Sequence, residues 1–419
     1  MSYNITMTEK SLSERSLEYH SRKPAGKLSV KITKPANSPE DLTLAYSPGV
    51  AVPVLAIADK PLSVYDYTSK GNLVGIISNG SAILGLGNLG AMASKPVMEG
   101  KSVLFKRFAN VDAFDLEIDE KDPEKFVEIV KSLAPTFGGI NLEDIKAPDC
   151  FYIEEKLQEL CDIPIFHDDQ HGTAIVTLAA LINAIKLQDK KWANLKIVCI
   201  GAGAAALATL DLLMGFGINV DNIRLIDSRG VVYKGRPENS ERKDKYAPKT
   251  DDRTLNDACK GADVILGFSK GNLLEVDNVK AMAVNPIIFA CANPDPEIKP
   301  EIVEVARKDA IIATGRSDYP NQVNNVLAFP YIFRGALDTR ASAINLEMKI
   351  ACAEAISSLA NSKVPEEIKE LYKSEQKLEG GLEFGKYYIL PKPMDPRLLE
   401  VAAKAVAVAA IKTKVARIK

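Results

Sequence analysis

Two adjacent pairs of carboxylates, Glu143-Asp144 and Asp168-Asp169, each follow an apolar run that ends like a β-strand. The first comes after Phe137-Gly138-Gly139-Ile140-Asn141-Leu142. The second comes after Ile163-Pro164-Ile165-Phe166-His167, just before a helix that starts at Gly172-Thr173. Three or four oxygen ligands converging at strand ends, without thiolates, suit a hard cation such as Mg²⁺ or Mn²⁺. Two acidic helix N-caps would leave the same trace. His167 and His171 flank the second pair; an isolated imidazole here is read as packing or hydrogen bonding rather than ligation. Lys101 complements the acids. It lies in a predicted helix capped near Ser94, and its neighbours three and four positions away are Val97, Met98, Leu104 and Phe105. Desolvation by such a face would lower an ammonium pKa toward that of a base useful near neutral pH. A lysine whose stem covers the core gives the same pattern. Tyr46, on the turn Ala45-Tyr46-Ser47-Pro48-Gly49, either packs or supplies a proton from its phenol, with a cation such as Lys101 as partner.

Two glycine-rich turns must position a larger ligand. Gly85-Leu86-Gly87-Asn88-Leu89-Gly90 fits G-x-G-x-x-G in full, whereas Gly201-Ala202-Gly203-Ala204-Ala205-Ala206 ends in alanine. Only the second lies between an apolar strand (Leu195 to Ile200) and a helix (Ala204 to Met214), the context that aims backbone N–H groups at a pyrophosphate. The following strand ends at Asp227, the expected place for an acid on the adenosine ribose. That acid favours NAD, yet Ser228, Arg229, Lys234 and Arg236 follow and would suit a 2′-phosphate, so the choice between NAD and NADP stays open.

The surrounding elements form two regions. The first has a helix near Ser13–His20, a predicted hairpin (Val64–Thr68, a Lys70-Gly71 turn, Leu73–Ser78), and helices near Lys95–Phe108 and Pro123–Leu133. The second alternates helices with strands at Lys196–Ile200, Ile223–Ile226, Val264–Gly267, Ile287–Cys291 and Ala310–Ala313, the rhythm of a doubly wound parallel sheet. Helices Thr339–Leu359, Pro365–Tyr372 and Pro396–Ile411 close the chain. The fold class is therefore α/β: a mixed α/β substrate and catalytic domain (1–164), a Rossmann-type NAD(P)-binding domain (165–385) and a C-terminal helical segment (386–419).

With 419 residues and a formal net charge of −2, the chain has no basic excess that would argue for nucleic acid. No apolar run approaches the ~20 residues of a membrane helix. Six cysteines without a C-x-x-C pair, and a polar N-terminus without a signal-peptide core, predict a cytoplasmic protein with free thiols.

Taken in order, these segments resemble malic enzymes, most closely the bacterial type. The resemblance is carried by Ala45–Ala51, Ile83–Gly90, Pro96-Val97-Met98-Glu99-Gly100-Lys101, Ile140–Asp144, His167–Ala174, Gly201–Ala206 and Asn324-Asn325-Val326. It implies oxidative decarboxylation of L-malate to pyruvate and CO₂ with reduction of NAD(P). Tyr46 would be the general acid, Lys101 the general base, and Glu143, Asp144 and Asp169 the ligands of Mg²⁺ or Mn²⁺. Gly201, Gly203, Ala204, Ala205, Asp227, Arg229 and Asn293 would bind the dinucleotide. Asn293, Asn324 and Asn325 would contact the substrate, and the first glycine turn would line its side of the cleft. The chain departs from larger members at Ala82, where they carry a carboxylate-clamping arginine; Asn79, Ser81 or a neighbouring subunit would have to replace it. Leu17-Glu18-Tyr19-His20 and Gly26-Lys27 look most like hybrid, phosphotransacetylase-fused members, which favours NADP. The family also implies a homodimer or higher oligomer. An amino-acid dehydrogenase-like oxidoreductase would leave the acid pairs unexplained, and a non-catalytic dinucleotide sensor would not need Tyr46 and Lys101.

Overall fold

A computed structural model of the chain describes residues 10–373 and 381–418. Residues 1–9, 374–380 and 419, which belong to the three predicted segments, lie outside the described part. Four strands, β1 (Leu73–Ser78), β2 (Asp112–Glu117), β3 (Gly139–Leu142) and β4 (Ile165–His167), form a sheet in the order β2-β1-β3-β4. Every pairing is parallel. All six residues of β1 are buried, as expected of a central parallel strand covered on both faces.

The predicted hairpin does not form. Val64–Tyr67 is a short helix and Ser69–Asn72 a 3₁₀ turn, so β1 pairs with later strands and not with the chain before it. Lys70 fixes this arrangement. Its buried Nζ donates to the carbonyls of Ala134, Pro135 and Phe137 at 3.1, 3.0 and 2.5 Å, tying the turn to the loop that enters β3.

A second sheet contains β5 (Ile197–Ile200), β6 (Ile223–Asp227), β7 (Gly230–Val231), β8 (Val264–Gly267), β9 (Ile287–Ala290) and β10 (Ile311–Thr314). Its order is β10-β9-β8-β5-β6-β7, parallel except for β7. The chain reverses direction between β5 and β8, and such a switch point opens a crevice at the carboxyl ends of the strands.

Helix Asp168–Leu187 joins the two sheets. It leaves β4 directly, packs against helices Ala204–Gly215 and Leu346–Ala360, and is buried around most of its circumference. Its apolar sequence has no polar stripe, the signature of a helix enclosed on all sides. One hydrophobic core therefore runs continuously from β1 through this helix to the C-terminal helix Arg397–Lys412. The predicted helix Thr339–Leu359 starts later, at Leu346, and a separate helix precedes it. Phe329–Asp338 ends before Arg340, whose φ is +48°, and Asn345 caps Leu346–Ala360 by accepting from the Met348 N–H at 3.0 Å. Helix Ala91–Ala109 begins after Gly90, not at Ser94, whose hydroxyl bonds back to Ala91. Helix Asp149–Leu160 was not anticipated.

Candidate active site

The carboxyl ends of both sheets open on one cleft of about 990 Å³. Ala82, Leu84 and Gly85 reach it from the loop after β1, Glu143 and Asp144 from the end of β3, and Asp169 from the end of β4. Gly203–Ala205 follow β5 and Phe268 follows β8 on the opposite wall. Helix Ala91–Ala109 contributes Pro96, Val97, Gly100, Lys101 and Leu104, spaced to form one helical face.

The acids and the lysine meet at the floor. Carboxylate oxygens of Glu143, Asp144 and Asp169 lie within 4.8 Å of one another. Burial is the main cause that raises all three pKa values above the carboxylate range, and repulsion from neighbouring acids adds to it. Asp144 sits at φ +54° and its buried Oδ2 has no hydrogen-bond partner. An orphaned oxygen among three crowded carboxylates fits a hard divalent cation, which would relieve both the repulsion and the unmet bond. Asn141 donates to Glu143 at 2.8 Å, and the Asp144 N–H donates to Asp169 at 2.8 Å, so the acids are held from behind.

Lys101 Nζ lies 2.6 Å from Asp168 Oδ2 and 2.8 Å from Glu143 Oε1, with the Phe329 ring 4.2 Å away. The apolar neighbours predicted a lowered pKa. Burial does act in that direction, but the two carboxylates outweigh it and hold Lys101 above its ordinary value. Asn325 donates to the same Asp168 oxygen at 2.5 Å. Gly172 makes this approach possible: a methyl group there would sit 1.9 Å from Asp168 Oδ1 and 2.7 Å from the Asn325 side chain. Asp168 is thus the partner of the lysine and not a member of the three-acid cluster, a division invisible in the Asp168-Asp169 pair.

The second glycine turn has the strand–turn–helix geometry. Gly201, at φ +109°, donates its N–H to Ile226 at 2.8 Å, and helix Ala204–Gly215 begins without a side-chain cap. Beside it, both oxygens of Asp227 are occupied. Arg236 Nη2 donates at 2.9 and 2.8 Å, Lys243 Nζ at 2.6 Å and the Arg229 N–H at 2.9 Å. Burial opposes the Asp227 charge, but Lys243, the Arg229 backbone and Arg236 keep its pKa below the usual range. The Arg229 side chain itself is exposed. The first glycine turn is closed by an Ile83–Gly87 bond of 2.9 Å, and Gly85 faces the Asn293 carbonyl across the cleft.

Other expected residues stand apart. Tyr46 is 76% exposed and does not line the cleft, so one chain does not bring it to Lys101. Asn325 lines the cleft, whereas Asn324 uses its side chain to cap the following 3₁₀ turn through the Val326 N–H. Asn293 is exposed above the first glycine turn. Asn79 and Ser81 bond to each other at 2.6 Å and line a separate small cleft with Asp119 and Glu120. His171 bonds to Glu154 and Lys349, and buried His167 is pushed down to about 4 by desolvation, which leaves it neutral. Neither imidazole belongs to the three-acid group, although His167 Nδ1 lies 3.8 Å from Asp169 Oδ2. Sequence reasoning missed Glu154, which accepts from the His167 N–H and Gln170 at 2.9 Å each. It also missed Lys27 and His20 as cleft residues.

Comparison with known proteins agrees with this architecture. The family model "Malic enzyme, N-terminal domain" matches residues 25–158, and "Malic enzyme, NAD binding domain" matches residues 170–379. An NADP-dependent malic enzyme of Rhizobium meliloti (strain 1021) is 58% identical over 405 residues, which is 96% of this chain and 53% of that protein. The chain thus spans about half the length of that relative. An NADP-dependent malic enzyme of Halomonas elongata is 53% identical over 96% of this chain and 94% of its own length. The crystal structure of malic enzyme from Pyrococcus horikoshii Ot3 superposes with a TM-score of 0.89 at 44% identity, covering 98% of this chain and 93% of that one. Similarity of this extent, over both sheets and the cleft between them, shows that the chain belongs to the malic enzyme family.

Proposed function

We propose that the protein catalyses the divalent-metal-dependent oxidative decarboxylation of L-malate to pyruvate and CO₂ with reduction of NAD(P), NADP being preferred. The observation that carries this reading is the contact of Lys101 with Glu143 beside two further converging carboxylates. Glu143, Asp144 and Asp169 hold Mg²⁺ or Mn²⁺. When bound, the ion polarises the substrate hydroxyl and takes up charge on Glu143 that otherwise keeps Lys101 protonated. Lys101 takes the hydroxyl proton, and Asp168 and Asn325 fix its position. Of the three expected asparagines, Asn325, which lines the cleft, orients the substrate. After CO₂ leaves, Tyr46 returns a proton to C3. Gly201, Gly203, Ala204 and Ala205 cradle the dinucleotide, which accepts the two electrons of the oxidation. Asp227 and Arg229 sit at its adenosine end. The engagement of Asp227 by Arg236 and Lys243 supports NADP, since it neutralises the acid that would repel a 2′-phosphate.

The same reading divides the chain into a catalytic domain (1–164), a dinucleotide domain (165–385) and a helical segment (386–419); the first sheet draws its edge strand β4 (Ile165–His167) from just past the first boundary, and the second sheet lies wholly within 165–385. It places the protein in the cytoplasm, a location supported by six free cysteines. Among the described residues no helix is long and apolar enough to cross a membrane. Within the family the chain stands nearest the hybrid, phosphotransacetylase-fused type on the strength of Leu17–His20 and Gly26-Lys27. It functions as a homodimer or higher homo-oligomer in which a second copy supplies Tyr46. Support comes from helices Leu12–Ser21, Pro39–Ala45 and Ala51–Asp59, which carry many apolar side chains yet bury none.

Nicotinamide reduction with L-malate, with and without Mn²⁺, tests the reaction. Turnover is expected only with metal and faster with NADP than with NAD. Asp169→Ala should lose Mn²⁺ binding and turnover together; unchanged Mn²⁺ affinity would remove Asp169 from the ligand set. Metal-independent oxidation of an amino acid would instead favour an amino-acid dehydrogenase-like enzyme. Tight dinucleotide binding without any turnover would favour a sensor.

A further inference from the structure

The face of helix Ala91–Ala109 that lines the cleft carries a cation that no residue role above employs. Gly26, at φ +83°, lies against the Glu99 carboxylate, and the Lys27 N–H donates to Glu99 Oε2 at 2.9 Å. These contacts pin the N-terminal arm to helix Ala91–Ala109. The Lys27 side chain then runs along that helix, where Nζ donates to the Pro96 carbonyl at 2.6 Å and approaches His20 Nε2 at 3.1 Å. His20 Nδ1 lies 2.8 Å from the Ser16 carbonyl, so the imidazole proton belongs on Nδ1 and Nε2 accepts from the lysine. An ammonium has three N–H bonds. Two are directed to these acceptors, and the third is left for the cleft that Lys27 and His20 both line.

Position and charge balance single this lysine out. A methyl group on Gly100 would lie 3.5 Å from Lys27 Nζ, so the ammonium rests on the glycine that precedes Lys101. Of the lysines lining the cleft, Lys101 is held by Asp168 and Glu143, and Lys146 lies 3.6 Å from Asp149. Among the described residues, no carboxylate lies within ion-pair distance of Lys27 Nζ. Partial burial holds its pKa below the ordinary lysine value, against the pull of Glu99 and Asp115. A dicarboxylic 2-hydroxy acid has one carboxylate to place beside the three-acid cluster and another that needs a cation. Ala82 offers no charge, and Asn79 and Ser81 open on a different cleft.

We infer that Lys27, presented by Gly26 and His20 on the glycine face of helix Ala91–Ala109, binds a carboxylate of the substrate and so selects dicarboxylic over monocarboxylic 2-hydroxy acids. The assignment rests on the malate reading and adds the specificity determinant that Ala82 lacks.

Calorimetric titration of the full chain with L-malate, L-lactate and NADP, in the presence of Mn²⁺, tests it without turnover. A charge-assisted contact of this kind is worth roughly 10- to 100-fold in affinity. Lys27→Met is expected to weaken L-malate binding by that factor, bring it close to L-lactate, and leave L-lactate and NADP binding unchanged. Lys27→Arg is expected to keep most of the preference for malate. Equal malate affinity in wild type and Lys27→Met would overturn the assignment, as would a parallel loss of malate, lactate and NADP binding. A wild-type protein that binds NADP but no malate would sink the malate reading itself, a result distinct from either.

Discussion

Glu154 shows how a single buried side chain supports the site from outside it. Its carboxylate accepts from the His167 backbone and from Gln170, and meets His171 at 2.9 Å. Burial alone would raise its pKa. His171 first, and then Lys349, reverse this and hold it down at about 2 against an ordinary 4.5. A folded-state value below the unfolded one contributes stability that is complete above pH 4.5 and is lost as pH falls through about 2. Glu154→Gln should therefore lower the urea midpoint at pH 7 and flatten its fall between pH 5 and pH 3. A variant whose midpoint falls as steeply as wild type over that interval would show that Glu154 is not the titrating group. The residue escapes sequence reasoning because Glu154-Glu155 looks like any charged helix surface. Its partners come from β4, from the helix after it and from Lys349, 178 residues beyond His171.

At the scale of elements, the site depends on how closely helix Asp168–Leu187 meets the loop carrying Asn325. Gly172 sets that distance. Gly172→Ala would force Asp168 and Asn325 apart, and overpacking of this kind costs about 1–3 kcal/mol. The expected outcome is a fall in malate turnover of at least ~10-fold, since the lysine loses its partner geometry, with NADP affinity retained because Gly201–Ala205 lie on another element. Wild-type turnover in this variant would show that Asp168 does not position Lys101. Gly172-Thr173 was legible as a helix signal, but the helix begins earlier, at Asp168. The predicted hairpin failed for a related reason. An apolar run of six residues is compatible with an edge hairpin or a central parallel strand, and only the buried Lys70 contacts and the later strands decide between them.

For the whole molecule, the exposed N-terminal arm is the feature that a single chain leaves unresolved. Leu44, Tyr46, Val52 and Leu55 are 67%, 76%, 72% and 69% exposed. Exposed apolar side chains of this size support the proposed contact with a second copy. If a second copy supplies Tyr46, then Tyr46→Phe and Lys101→Ala are each inactive alone. Mixed and allowed to exchange subunits, they should regain part of the activity, because one site in each hybrid dimer then holds both intact residues. Confirmed subunit exchange with no recovery would show that Tyr46 does not act across subunits.

Motif order and hydrophobic period were enough to determine the α/β class and the second parallel sheet. These features are written in residues within a few positions of one another. They also marked the acids and Lys101 as candidates. Tertiary structure alone decided that Asp168 pairs with Lys101, 67 residues away, while Asp169 joins Glu143 and Asp144. It likewise decided that Lys101 is held charged, that Asp227 is already neutralised by Arg236 and Lys243, and that Lys27 reaches the cleft while Tyr46 does not. Local spacing sets which face of an element a residue occupies. The charges that face it come from elements distant in the chain, and their distances set its chemistry.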